Sequence, residues 1–430
     1  MISFRESKMR TVFRIVAVMA AVFFASCIFG TITAASIVPA WKVNLPDDMR
    51  VSGITISDDG SRVFVGGNLL RVLSGDGQFL WGGYNGEVAA MSGNGKYVVT
   101  AMGETLRLLD KEGTLIWTRT GGAPITNVAI STNGSVIVSD DSRGYLRTFN
   151  AAGESFGTEM LEPAKNIAIS PAGDLIVIAT DSGLRYINPG LDLLWSDNRS
   201  GGLETFIAIS IDGSTIYTAG GNRVSSHTRT GALNWQKDVT SEHITDMACS
   251  ESGNVLVLGS QDSFVYVLDN GGYSRTKFPT GQWVNAVSVS RDGTMVAAGS
   301  VDRYLNVFFR NGMQIGKVRT DRIIQPRSVA INPDNSRVVA ADELFVYGYT
   351  LEPDSGFVDE TATPRMTAIR TPQVTTDLII STTTTEQPVP ELSGTAGSPV
   401  TAATTKKSPV SIIAGLCAIT IMMVIFRRSG

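Results

Sequence analysis

Apolar and polar residues alternate along most of this chain in short runs, and each run stops at a turn rich in Gly, Asp or Asn. Residues 284–318 show the unit. "VNAVSVS" is followed by "TMVAAGS" after the Asp292-Gly293 turn, "YLNVFFR" after an Asp302-Arg303 corner, and "MQIGKV" after Asn311-Gly312. Alternation with period two predicts strands, because successive side chains of a strand point to opposite faces. Asp-Gly and Asn-Gly suit tight hairpins: Gly adopts positive φ without steric penalty, and Asp or Asn can bond the backbone just ahead. The unit is therefore a four-stranded meander.

The meander repeats. "SDDGSRVFVGG" at 57–67, "SPAGDLIVIAT" at 170–180 and "SIDGSTIYTAG" at 210–220 restate it. The turn residues fall at Gly60, Gly95, Gly134, Gly173, Gly213, Gly253, Gly293 and Asn335, at spacings of 35, 39, 39, 40, 40, 40 and 42. A period near 40 with four short strands per unit indicates β-propeller blades. The inner strands end at Ser57, Ser92, Ser131, Ser170, Ser210, Ser250, Ser290 and Asn332. The last unit stops after three strands at "LFVYGYTLE" (344–352), and its missing fourth strand lies at the front, where "PAWKVNL" (39–45) matches "TLIWTRT" (114–120). Pairing the two removes a pair of unpaired sheet edges. The expected fold is all-β, an eight-bladed propeller of four-stranded blades over 37–352.

Most fourth strands carry a Trp shortly after a turn: Trp81, Trp117, Trp195 and Trp235. A large aromatic recurring once per blade is expected to fill the wedge between neighbouring sheets. The third unit departs, with "AAGESFGTE" where the others have Trp.

"DKEGTLIW" resembles the pyrroloquinoline-quinone-type propeller repeat, and "SxDG" followed by a polar corner resembles a WD-repeat. Such resemblance implies a fold more than a function. Quinoprotein dehydrogenases of this fold hold their cofactor and calcium on one face, usually beside a disulfide between adjacent cysteines. This chain has three cysteines, and Cys27 and Cys417 lie in apolar end segments, so Cys249 stands alone in the body and cannot form that pair. No cofactor or metal is expected, and no Ser/His/Asp or phosphate-loop pattern occurs. His227 and His243 are the only histidines, too few for a multi-His zinc site.

The ends change the picture of location. Arg5, Lys8, Arg10 and Arg14 precede an uncharged run from Ile15 to Ala40, which predicts a signal peptide or signal anchor over 1–35, with Thr33-Ala34-Ala35 as a cleavage point. Residues 410–426 are 17 uncharged residues between Lys406-Lys407 and Arg427-Arg428 and predict a transmembrane helix with 427–430 as an inner tail. Between body and anchor, 353–409 forms a linker whose 361–409 stretch holds 14 Thr and 6 Pro, the composition of an extended stalk. The layout resembles membrane-anchored surface proteins of methanogenic archaea and places the propeller outside the cell. The sequons at Asn133 and Asn198 are candidate glycosylation positions. The net charge of −4 and the lack of a basic block set nucleic acid aside.

Binding chemistry is sought on one rim. Connections entering the inner strands and the corners between second and third strands share a propeller face; counting back from the inner strands places Arg50, Asn85, Pro124, Pro163, Leu203, His243, Trp283 and Gln325 there. Trp283 is the one Trp outside a fourth strand, a candidate anchor for a protein or glycan partner. The corners add Asp141, Asp181, Asp262, Asp302 and Asp342, with Arg143 and Arg303. Recurring corner carboxylates also suit Asx turns. The expected binding face comprises Trp283, His243, Asp262, Asp302 and Arg303. The expected function is a non-catalytic binding or scaffold module, against the alternatives of a quinone-dependent oxidoreductase or a structural cell-envelope component.

Overall fold

The computed structural model describes residues 36–198 and 205–352. The expected leader, stalk, membrane helix and tail lie outside the described residues.

Among the described residues, eight four-stranded antiparallel sheets follow one another around a ring. We number the blades by their inner strands: Val51–Ile56, Val88–Met91, Ile125–Ile130, Asn166–Ile169, Phe206–Ile209, Ile244–Cys249, Val284–Val289 and Val329–Ile331. Strands within a blade are A to D from the inside out. Blades 1 to 7 are simple meanders, and blade 8 takes its D strand from Ser36–Asn44, which pairs antiparallel with Phe345–Glu352. The closing strand begins three residues before the expected Pro39, with Ser36 opposite Glu352 and Asn44 opposite Phe345. In a meander the A–B and C–D turns share one face, here called lower. The D–A connections and B–C corners share the other, upper face. Ser36 and Glu352 therefore sit together on the lower rim.

The recurring serine at the end of each inner strand explains "SxDG". In blade 7 the Ser290 hydroxyl accepts from the Met295 amide at 2.9 Å and donates to the Asp292 carboxylate at 2.6 Å, closing the turn in which Gly293 takes φ 74°. Ser57, Ser92, Ser131, Ser170, Ser210 and Ser250 accept the matching amide in their own blades. Asn332 does the same in blade 8 through its side-chain oxygen.

The apolar core is divided among the seams. Each of eight buried clusters joins adjacent blades, such as Leu106, Leu108 and Trp117 of blade 2 with Ile125 and Ile137 of blade 3. Trp81 shows how the outer wedge is filled. Its indole N–H donates to the Lys111 carbonyl at 2.8 Å, and a methyl group at Gly113 (φ 84°) would stand 2.6 Å from its ring. Trp41, Trp117 and Trp235 donate to the corresponding carbonyls of Gly75, Ala151 and Asn270. Trp195 instead stacks on Tyr186, with centroids 3.4 Å apart.

Candidate functional site

Three successive D–A connections on the upper face share one construction. The hydroxyls of Thr240, Thr280 and Thr320 each donate to the carbonyl two residues on, at Glu242, Gln282 and Arg322, at 2.6, 2.6 and 2.7 Å. The Thr280 amide and hydroxyl both reach the Ser263 carbonyl at 2.8 and 2.9 Å; those of Thr320 reach the Arg303 carbonyl at 2.8 and 3.1 Å. Ser263 and Arg303 both have φ 68°, the left-handed conformation that turns those carbonyls toward the loops.

The corner aspartates secure the same loops from below. Asp262 accepts from the Ser241 amide and hydroxyl at 3.1 and 2.8 Å and from the Tyr266 hydroxyl. Burial raises the Asp262 carboxyl, but these bonds outweigh it and hold it below the usual range. Asp302 accepts from the Gly281 and Tyr304 amides at 2.9 and 3.0 Å. Asp342 accepts from the Arg322 amide at 2.9 Å and the Tyr347 hydroxyl at 2.7 Å. In blade 3 the buried Asp141 takes the Arg143 and Tyr145 amides and an Arg147 guanidinium N–H at 2.9 Å. Asp181 is exposed and pairs with Lys165 at 2.7 Å.

On this frame His243, Trp283 and Ile323 occupy equivalent positions, each three residues after its threonine. All three are exposed, Trp283 at 53% and Ile323 at 37%. Counting back from Asn332 pointed to Gln325 because the last repeat is longer; the shared threonine bonds assign the position to Ile323. The Trp283 carbonyl accepts from Val301 at 2.9 Å, which sets Trp283 beside the corner carrying Arg303. Asn285 holds the Ile324 carbonyl at 2.9 Å, and the Arg327 amide reaches the Asn285 carbonyl at 3.4 Å. Exposed Arg303 and Arg322 thus stand on the same upper loops of blades 7 and 8 as Trp283, with Arg327 nearer the channel.

Arg327 was not among the sequence candidates, and it has φ 54°. Its guanidinium lies 5.5 Å from the Phe206 ring of blade 5, so it reaches across the mouth of the central channel. Below it Asp246 accepts from the Val287 and Met247 amides at 2.8 and 3.0 Å. Burial pushes this carboxyl up to about 6, against the lowering effects of the Val287 bond and Arg327. No spacing rule marks Asp246, because its partner amide comes from the next blade.

The lower end of the channel forms a 270 Å³ cavity walled by Ile56, Ile209, Val289 and Ile331. Cys249 lines it, its thiol pushed up by burial to about 12, away from thiolate reactivity. Arg291 bounds it, pairing with Asp58 at 2.6 Å and Glu251 at 3.4 Å. His227 is buried between blades 4 and 5, its Nε2 3.2 Å from Asp197. Among the described residues no cluster of His, Cys, Asp and Glu could hold a metal ion. Asn133 is exposed on the lower face, its side-chain oxygen taken by Ser131 and Ser135. Asn198 is exposed at the edge of the described residues.

Residues 273–308, covering Trp283 and the Asp302-Arg303 corner, match the WD domain, G-beta repeat family. The match spans the outer strand of blade 6 and the three inner strands of blade 7. Solved structures share the fold. The C-terminal WD40 domain of Sif2 superposes with TM-score 0.63 at 14% identity, covering 74% of this chain and 99% of that one. Saccharomyces cerevisiae Sqt1 gives 0.63 and 14%, covering 74% and 100%. The computationally designed Ika8 protein gives 0.59 and 16%, covering 70% and 96%. At such identities the likeness establishes the fold. No curated protein sequence matches this chain. WD-type propellers generally serve as binding or scaffold modules that mediate protein interactions.

Proposed function

We propose that the chain is a non-catalytic binding propeller displayed outside the cell membrane, with the upper loops of blades 6, 7 and 8 as its contact face for a protein partner. The observation that carries this reading is that Ser36 and Glu352 sit side by side on the lower rim, so both chain ends leave opposite those loops. A tether attached there joins the ring on the rim away from those loops. In this reading residues 1–35 direct export and are removed, 353–409 are the spacer, and 410–426 are the anchor. The locked threonine turns favour recognition, because loops fixed before binding lose little entropy on forming a complex.

Two measurements test this. N-terminal sequencing of the membrane-bound protein should begin near Ser36; an intact Met1 would establish a second anchor and overturn the single-tether arrangement. A photo-crosslinking residue at Gln282 in native membranes should capture a defined protein, whereas the same residue at Lys96 on the lower face should not. Equal capture from both positions would remove the upper loops as the contact face.

A further inference from the structure

The upper face has a polarity that narrows the partner. The chain carries a net charge of −4, yet the upper loops of blades 7 and 8 that carry Trp283 and Ile323 also carry three exposed arginines. Among the described residues none of Arg303, Arg322 and Arg327 has a carboxylate within ion-pairing distance. Of the neighbouring carboxylates Asp302 and Asp342 hold loop amides and Asp321 pairs with Lys42 at 2.7 Å, while Glu242 and Glu343 are exposed at the loop of blade 6 and the corner of blade 8. Asp246 faces Arg327 from beneath but is buried. What a partner meets is a half-exposed indole, an apolar side chain at Ile323, the guanidinium groups of Arg303 and Arg322 without an ion-pair partner, and that of Arg327 over Phe206.

Resting on the reading above, we propose that the partner docks through an acidic segment whose apolar side chains cover Trp283 and Ile323 while its carboxylates pair with Arg303, Arg322 and Arg327. Guanidinium groups bind carboxylates through parallel N–H bonds, and an exposed Trp between arginines has the composition of an interface hot spot. Charge complementarity of this kind chiefly accelerates association and selects against basic partners. Ile323 favours a peptide over an acidic polysaccharide, since a branched alkyl group offers a sugar neither a stacking face nor a hydrogen bond. The loops are held by their own backbone bonds, so the arginines are presented on a fixed frame.

Binding is measured by fluorescence anisotropy on the purified full chain. The probes are a labelled peptide with a Leu-Phe pair flanked by Glu and Asp, its Lys-for-acid counterpart, and polygalacturonate. The acidic peptide should bind at least tenfold more tightly than the basic one and weaken as salt rises. R303E and R322E should each lower its affinity several-fold, and together by more than tenfold; W283A should also cost more than tenfold, while K96E leaves it unchanged. Equal binding of the two peptides, insensitivity to the R303E/R322E pair, or binding of polygalacturonate alone would overturn the acidic-peptide assignment. A partner captured from Gln282 alongside any of those results would leave the binding module standing and dismiss only this chemistry.

Discussion

Gly157 and Leu191 exchange the sizes that Trp117 and Gly153 have one seam earlier. Gly157 stands where blade 3 would carry its Trp, and Leu191 where blade 4 would carry the turn glycine. A methyl group at Gly157 would lie 2.9 Å from Leu191 Cδ1, and Leu191 holds φ 70°, a conformation normally left to Gly. Thr148 supplies the missing polar contact, donating to the Pro189 carbonyl at 2.8 Å. The seam between blades 7 and 8 uses the same device, Gly316 receiving Ile37 of the closing strand.

This exchange predicts non-additivity. G157W should drive an indole into Leu191, and L191G should leave a void, each lowering the unfolding midpoint. The double variant should recover at least about 1 kcal/mol relative to the sum, as coupled neighbours do. Strict additivity in a denaturant double-mutant cycle would show that the residues do not share one space.

The two classes of Trp should separate in stability. Trp117 is 7% exposed and bonded to Ala151, so W117A should cost about 3–5 kcal/mol. Trp283 is 53% exposed, and W283A should change stability by less than about 0.5 kcal/mol. Calorimetric unfolding of both variants checks this; a large loss from W283A would place that ring in the core.

Closure depends on Ser36–Asn44. Deleting 37–46 should expose the edge of Phe345–Glu352 and lower the cooperative unfolding temperature of the whole ring. A truncated protein that unfolds cooperatively at the parent's temperature would be incompatible with the composite blade.

Asp246 gives a pH signature of definite sign. Its folded pKa of about 6 lies above the ordinary 3.8, so the folded protein holds a proton that the unfolded chain has released between about pH 4 and 6. Its contribution is full below that window and is lost as pH rises through it. D246N keeps an acceptor for the Val287 amide, should flatten this slope, and should stabilise the protein at pH 7 by about 1–3 kcal/mol. Turn carboxylates act oppositely: bonds from Ser210 and Ser214 lower Asp212, whose contribution is lost as the pH falls. Unfolding midpoints of both proteins from pH 4 to 8 decide the matter, and parallel curves would deny Asp246 the role.

The sequence by itself determined the blade count, the closing strand and the Asp-Gly turns. The turns and the blade count follow from alternation, Asp-Gly turns and a period near 40, which are local properties of the chain. The closing strand follows from the last unit lacking the fourth strand that the front of the chain supplies. Trp283 was legible for the same reason, as a Trp outside the repeating position. What the chain could not show lies across seams. Leu191 answers Gly157, Asp246 takes an amide from Val287 some 41 residues on, and Arg327 reaches Phe206 of blade 5 only once the blades are packed into the ring. Those pairings join residues at least about one repeat apart, and no local rule says which side chain meets which. Only the packing of one twisted sheet on the next decided them, because a seam accepts any pair of surfaces whose shapes and hydrogen bonds close the same wedge.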